Sequence, residues 1–169
     1  MMAHLTLVGA IHAALAMLCI AVGLIQLLRP KRGPGHRARG YAFVYAILVA
    51  DGAALLVFQF TGKFNILHAG AIVNLLCVTA AVIPVLRTPR PQNWKNLHYY
   101  WMSWSYVGLI AAAATEIVVR TVHLETRGQA WAVTAAMSAL VTTIGYILIN
   151  RYRPAESLAR GMQADGAPP

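Results

Sequence analysis

An all-α integral membrane protein with five transmembrane helices is what this sequence predicts, on three observations. Of its 169 residues, 59% are hydrophobic and only 11% charged, whereas soluble domains carry about 25% charged residues. Five apolar runs each approach or exceed the ~20 residues that cross a bilayer core. Lysine and arginine gather in alternate loops, as they do in a chain threaded back and forth through a membrane.

The runs are residues 5–28, 41–60, 65–86, 99–119 and 130–150, and the first, third and fifth carry no charge. Helix 1 opens uncharged on "MMAHLTLVGA" and continues for a full span. A cleavable signal peptide would begin with positive charge and hold roughly 7–15 apolar residues, so this segment is expected to stay in place. Its Gly9, Ala13, Ala16 and Gly23 are small residues of the kind that let membrane helices approach closely. Helix 2 follows the most basic stretch of the chain, "RPKRGPGHRARGY", and holds Asp51 near its middle. Pro34 and Gly35 suit a helix start, since proline is favoured in a first turn. That would draw His36 into the helix from five residues outside the apolar run.

Helix 3 has His68 near its first end, and Pro84 near its other end reads as a terminal kink. Helix 4 opens on "HYYWMSWSY", an interfacial aromatic belt in the first instance. His98 and Glu116 lie eighteen residues apart on it, five turns at 3.6 residues each, with Met102, Ser105, Leu109 and Ala112 on the same line. Helix 5 is uncharged, and residues 151–169 read as a disordered tail. Residues 1–150 thus form a single transmembrane domain. Helices 1–4 are expected to make an antiparallel four-helix bundle, with the fifth packed outside.

The net charge of +9 is explained by topology rather than by nucleic acid. With the N-terminus outside, the inner side receives Arg29, Lys31, Arg32, Arg37, Arg39, Arg87, Arg90, Lys95, Arg151, Arg153 and Arg160. The outer side receives Lys63, Arg120 and Arg127, so eleven basic residues face three. That bias predicts N-out and C-in, with acidic lipid head groups as neighbours. Cys19 and Cys77 lie inside helices 1 and 3 without a CxxC pairing, and behave as small apolar residues.

Ionisable groups inside a membrane span are costly and each is a functional hypothesis. Two clusters are expected. His36 and His98 share the inner end; His12, His68 and Glu116 share the outer half, with Asp51 below and His4 and His123 at the rim. The sharpest chemistry is haem b held by histidine pairs, His12 with His68 and His36 with His98, each from alternate helices. Two such haems would carry electrons across the membrane, exchanged with a quinone or a small redox partner. A second reading is a zinc or copper site of His12, His68, Glu116 and Asp51, with a metal-bound water for hydrolysis. A third is a proton-coupled carrier, or a structural subunit of a membrane complex. Set beside these, Glu116 has a plain partner in Arg120 at i,i+4, Asp51 in Asn74 or a tyrosine, and His36 and His98 in lipid phosphate. With almost no mass outside the membrane, the chain is expected to form homo-oligomers or join a larger complex.

The alternate-helix placement of the four histidines resembles the two-haem cytochrome b561 bundles in arrangement. The pieces "KRGPGHRARGYAFVYAILVADG", "LHAGAI" and "NLHYYWMSWSYVGLIAAAATEIVVR" together resemble the predicted bacterial membrane proteins grouped as domain of unknown function 2306. His36, Arg37, Gly40, Tyr41, His98, Met102, Trp104, Ser105, Tyr106, Glu116 and Arg120 carry the likeness, which spans about residues 5–150. It implies a multi-pass protein of the bacterial inner membrane and no particular reaction.

Overall fold

The computed structural model describes residues 7–58, 62–122 and 126–154. Its regular structure is helical: α1 (Leu7–Leu28), α2 (Gly33–Ala54), α3 (Ile66–Leu86), α4 (Trp94–Thr121) and α5 (Arg127–Arg151). His4, His123 and all of the tail after residue 154 lie outside the described residues.

Local chemistry sets the helix ends. α1 stops where Arg29 precedes Pro30, because the residue before a proline is pushed out of the helical region. α2 starts at Gly33, eight residues ahead of the apolar run, with Arg32 extended and a proline in the first turn. Gly33 has φ of +78°, a left-handed backbone that glycine adopts without a Cβ clash. The early start brings His36 into the first turn. α2 also ends early, at Ala54, where the Leu55 N–H returns to the Asp51 carbonyl. The helix expected to run through residue 60 therefore stops earlier, at Ala54.

Asn65 caps α3. Its side chain accepts from the Leu67 N–H at 2.9 Å, and the His68 ring takes the Asn65 N–H. Histidine here fills the place that Glu or Gln holds in the usual capping box. Pro84 falls in the last turn, where it leaves the Ala80 carbonyl without its helix bond but interrupts no further turn. α4 begins five residues before the apolar run and takes the whole aromatic cluster into the helix. α5 is opened by a Thr126–Gln129 capping box.

Helices consecutive in sequence pack against one another, α1 also meets α4, and α5 lies on α4. The core is made by Cys19, Phe43, Ala46, Ile47, Val78 and Leu109. Two glycines permit the closest crossings. Gly23 on α1 lies under the Tyr106 ring of α4, leaving no room for a Cβ. A Cβ on Gly145 of α5 would stand 2.5 Å from Val107. Large apolar side chains such as Leu24, Ile72, Leu76 and Ile117 point away from this core. Helices apolar on every side suit a lipid surround.

Among the described residues four helices, α1, α3, α4 and α5, are long and apolar enough to cross a membrane. At 22 residues α2 has the length, but Arg37, Arg39 and Asp51 lower its apolarity. The first two sit in its opening turns, and Asp51 is buried among its neighbours.

Candidate functional site

The bundle has a basic end, where α1, α3 and α5 finish and α2 and α4 begin, and a far end. At the basic end the Gln26 amide of α1 donates to Nδ1 of His36 at 2.7 Å and to the His36 carbonyl at 2.9 Å. Its oxygen accepts from Arg39 Nε at 2.9 Å, which fixes the sense of the amide. An amide NH₂ only donates, so Nδ1 of His36 is an acceptor and its proton sits on Nε2. Across α4, Nδ1 of His98 bonds the Ala81 carbonyl of α3 at 3.0 Å. A carbonyl only accepts, so His98 carries its proton on Nδ1 and leaves the Nε2 lone pair free.

His36 lies ahead of the apolar run of α2. Burial, followed by the charges of His98, Arg39 and Lys31, pushes it below the ordinary histidine range. The structure thus brings His36 and His98 within electrostatic reach of each other at one end. Around them, Lys31 stands over the Tyr99 ring at 5.0 Å and Arg90 over the Trp94 ring at 5.0 Å. Tyr100 meets Trp101 and Trp104 edge-on. This is the packing of an interfacial belt.

The far half is arranged differently from the expectation. Nδ1 of His12 donates to the Ala50 carbonyl at 2.9 Å. Ala50 precedes Asp51, whose Oδ2 accepts from Asn74 Nδ2 at 2.9 Å. His12 is therefore level with Asp51 and Asn74. His68 sits six residues further out on α3, ~9 Å along the helix axis. Its ring lies between Phe58 at 4.8 Å and Phe64 at 5.1 Å and is 2% exposed. Nδ1 takes the Asn65 N–H at 3.3 Å, so the proton is on Nε2, which is buried without a partner. The hydrogen bonds thus put His12 level with Asn74, and His68 is anchored to its own helix cap.

Glu116 is ion-paired to Arg120 at 2.6 Å, with both side chains partly in the open (38% and 54% exposed). The i,i+4 partner claims it, and it does not turn toward Asp51. Among the described residues no three His, Cys, Asp or Glu side chains stand close enough to hold one metal ion. The expected zinc or copper set of His12, His68, Glu116 and Asp51 is not assembled here.

Sequence reasoning missed Gln26 and Arg39 as partners of His36. The available signal was an amide at the end of an otherwise apolar helix, facing a basic loop. It also gave no role to Thr115, whose hydroxyl is buried and unpartnered like that of Ser105. Of the two cysteines, Cys19 is buried in the core with its thiol toward the Phe43 carbonyl, and Cys77 is half-buried.

No curated protein and no solved structure matches the chain. A family model matches residues 9–152, taking in His12, His36, His68, His98 and His123 and every helix but the outermost residues of α1. The chain belongs to the family described as predicted membrane protein DUF2306.

Proposed function

We propose that this chain is a membrane electron-transfer protein that takes haem b between His36 and His98 at the basic end of the bundle. All five helices would cross the membrane, α1–α4 as a four-helix bundle and α5 outside it. The excess of lysine and arginine places the basic end in the cytoplasm and the N-terminus outside. In this reading α2 spans as a companion of α1 and α3, with its arginines at the head groups and Asp51 inside.

The observation that carries the reading is that His36 and His98, from helices not adjacent in sequence, lie within electrostatic reach of each other, each anchored through Nδ1. A histidine that ligates a metal through one nitrogen donates its other N–H to a carbonyl or carboxylate, which sets the tautomer and the ring orientation. His98 meets that condition as it stands. His36, with its proton on Nε2, meets it only when Arg39 releases the Gln26 oxygen, so that the amide can turn over and accept from Nδ1. Bound there, haem would supply a one-electron iron couple close to the cytoplasmic face. The chain's own part is to hold the two imidazoles, shield the site with the aromatic belt and set its charge through Arg39 and Lys31.

An absorption spectrum of the detergent-purified protein, oxidised and dithionite-reduced, tests this. A sharp reduced b-type spectrum is expected, lost in His36→Ala and His98→Ala and kept in His12→Ala and His68→Ala. A protein expressed with haem in excess that is colourless at every stage sinks the reading. Loss of half the absorbance in His12→Ala and His68→Ala would instead establish a second haem in the far half.

A further inference from the structure

Among the described residues, four side-chain atoms are buried with no hydrogen-bond partner: His68 Nε2, Asn74 Oδ1, Ser105 Oγ and Thr115 Oγ1. All four belong to α3 and α4, which pack directly on each other. Buried polar atoms are nearly always satisfied, and where protein supplies no partner an ordered water usually does.

The atoms are not scattered. His98 reaches the Ala81 carbonyl, and Asn74 Oδ1 lies 3.7 Å from where a Gly108 Cβ would stand. The two helices therefore run antiparallel with Asn74 level with Gly108. The same register carries Thr115 to the level of His68 at the far end. Ser105 follows one turn inward from Gly108, ~4.5 Å along the axis. The orphaned groups succeed one another in level along the α3–α4 pair, from the far end to the middle of the bundle.

At mid-seam stands Asp51, 7% exposed, which no haem ligation uses. Asn74 gives it one hydrogen bond, and no lysine or arginine among the described residues pairs with it. From α1 it faces His12 and Cys19; from α3 it faces Asn74, with His68 further out. α4 presents the hydroxyls of Ser105 and Thr115 and no charged side chain at this level. An ionisable side chain within a span, without a counter-ion, marks an ion or proton site by default.

We propose that Asp51 is a proton-exchange site, connected to the aqueous phase at the far end by a file of water along the α3–α4 seam. Serine and threonine hydroxyls each donate one hydrogen bond and accept others, so they can pass a proton without moving. Water bridges the gaps between groups that do not touch. His68, whose Nε2–H is buried without a partner and whose ring lies between Phe58 and Phe64, stands at its mouth. The reaction is proton transfer alone: a hydron leaves water for the Asp51 carboxylate and returns, with no other bond changed. It holds with or without haem in the protein.

Infrared spectroscopy on the full-length protein in liposomes tests it. A carboxylic-acid C=O band that titrates with pH is expected in the wild type, and absent from Asp51→Asn in a difference spectrum. Asp51→Glu, which keeps the acid, should restore a shifted band and guards against a folding artefact. On transfer to heavy water the wild-type band should shift at once. Ser105→Ala combined with Thr115→Val should keep the band and slow its deuteration at least ~10-fold. The proposal is overturned if no band is removed by Asp51→Asn. It is equally overturned if deuteration is as fast in the hydroxyl-free variant as in the wild type.

Discussion

Gln26 holds His36 at two points, donating one amide group to the ring nitrogen at 2.7 Å and to the backbone carbonyl at 2.9 Å. The contact ties the end of α1 to the first turn of α2, and Arg39 locks the amide from the other side. It decides which tautomer His36 adopts, and therefore what the imidazole can bind.

Exchanging the amide for an acid reverses that choice. In Gln26→Glu both oxygens accept, so Nδ1 of His36 becomes the donor and Nε2 the free ligand atom. Haem occupancy should rise, and the midpoint potential should fall because a more basic imidazole favours ferric iron. Each tenfold gain of ferric over ferrous binding lowers a one-electron potential by about 59 mV. Potentiometric titration of the reduced band reads the shift; an unchanged or raised potential contradicts the tautomer argument.

Acid should weaken the same contact. His36 is held below the ordinary histidine range, chiefly by burial and then by its neighbours His98, Arg39 and Lys31. The unfolded chain therefore binds a proton there more readily than the folded one. By linkage, the contribution is fully present above the ordinary histidine pKa of ~6.5 and is lost as pH falls through the folded value. The Tm in detergent should drop between pH 7 and pH 5, and His36→Gln should flatten that drop.

The glycines separate into two kinds. Gly23→Ala drives a methyl into the Tyr106 ring and disturbs its hydroxyl bond to the Ile20 carbonyl, 3.1 Å. Overpacking of this kind costs about 1–3 kcal/mol. Gly52 in α2 has open space around it, so Gly52→Ala should be neutral or stabilise by up to ~1 kcal/mol through helix propensity. Paired unfolding curves should therefore move in opposite directions, or at least differ by more than 1 kcal/mol on this estimate.

Removing the single bond to Asp51 tests how far the far-half cluster supports the fold. Asn74→Leu strips the carboxyl of its partner while filling similar volume. An unsatisfied buried polar group costs ~1–3 kcal/mol, so a clear loss of stability is expected. Asp51→Asn, which can still bond an amide, should lose less. Equal losses would show that the Asn74 contact carries no weight.

Orientation has a direct check. Exposed Gln92 lies in the loop at the basic end and exposed Thr121 ends α4 at the other. In a background lacking Cys19 and Cys77, a cysteine at 121 should react with an impermeant maleimide on intact cells. A cysteine at 92 should react only after lysis. The reverse pattern would turn the protein over.

Much of this protein was legible in its sequence, and the legible parts share a cause. Helix number and the i,i+4 pairing of Glu116 with Arg120 depend on residues within one or two turns of each other. The gathering of arginines at one end depends only on their order along the chain. The pairing of Asp51 with Asn74 was an open alternative that burial selected, since a carboxyl at that depth has few polar groups to choose from.

What only the tertiary structure decided is the level at which each helix meets the next. His12 was expected opposite His68, yet the bond to Ala50 sets it beside Asp51 and Asn74. Gln26 had no visible partner until the left-handed turn at Gly33 brought His36 back against the end of α1. Those levels are set by contacts such as Tyr106 over Gly23, made by residues more than eighty positions apart. Periodicity within a helix says which face is apolar, but sliding one helix past another by a turn leaves that pattern unchanged. Only side chains interlocking across the bundle choose between such registers, and that choice settled which of the polar groups came to share a site.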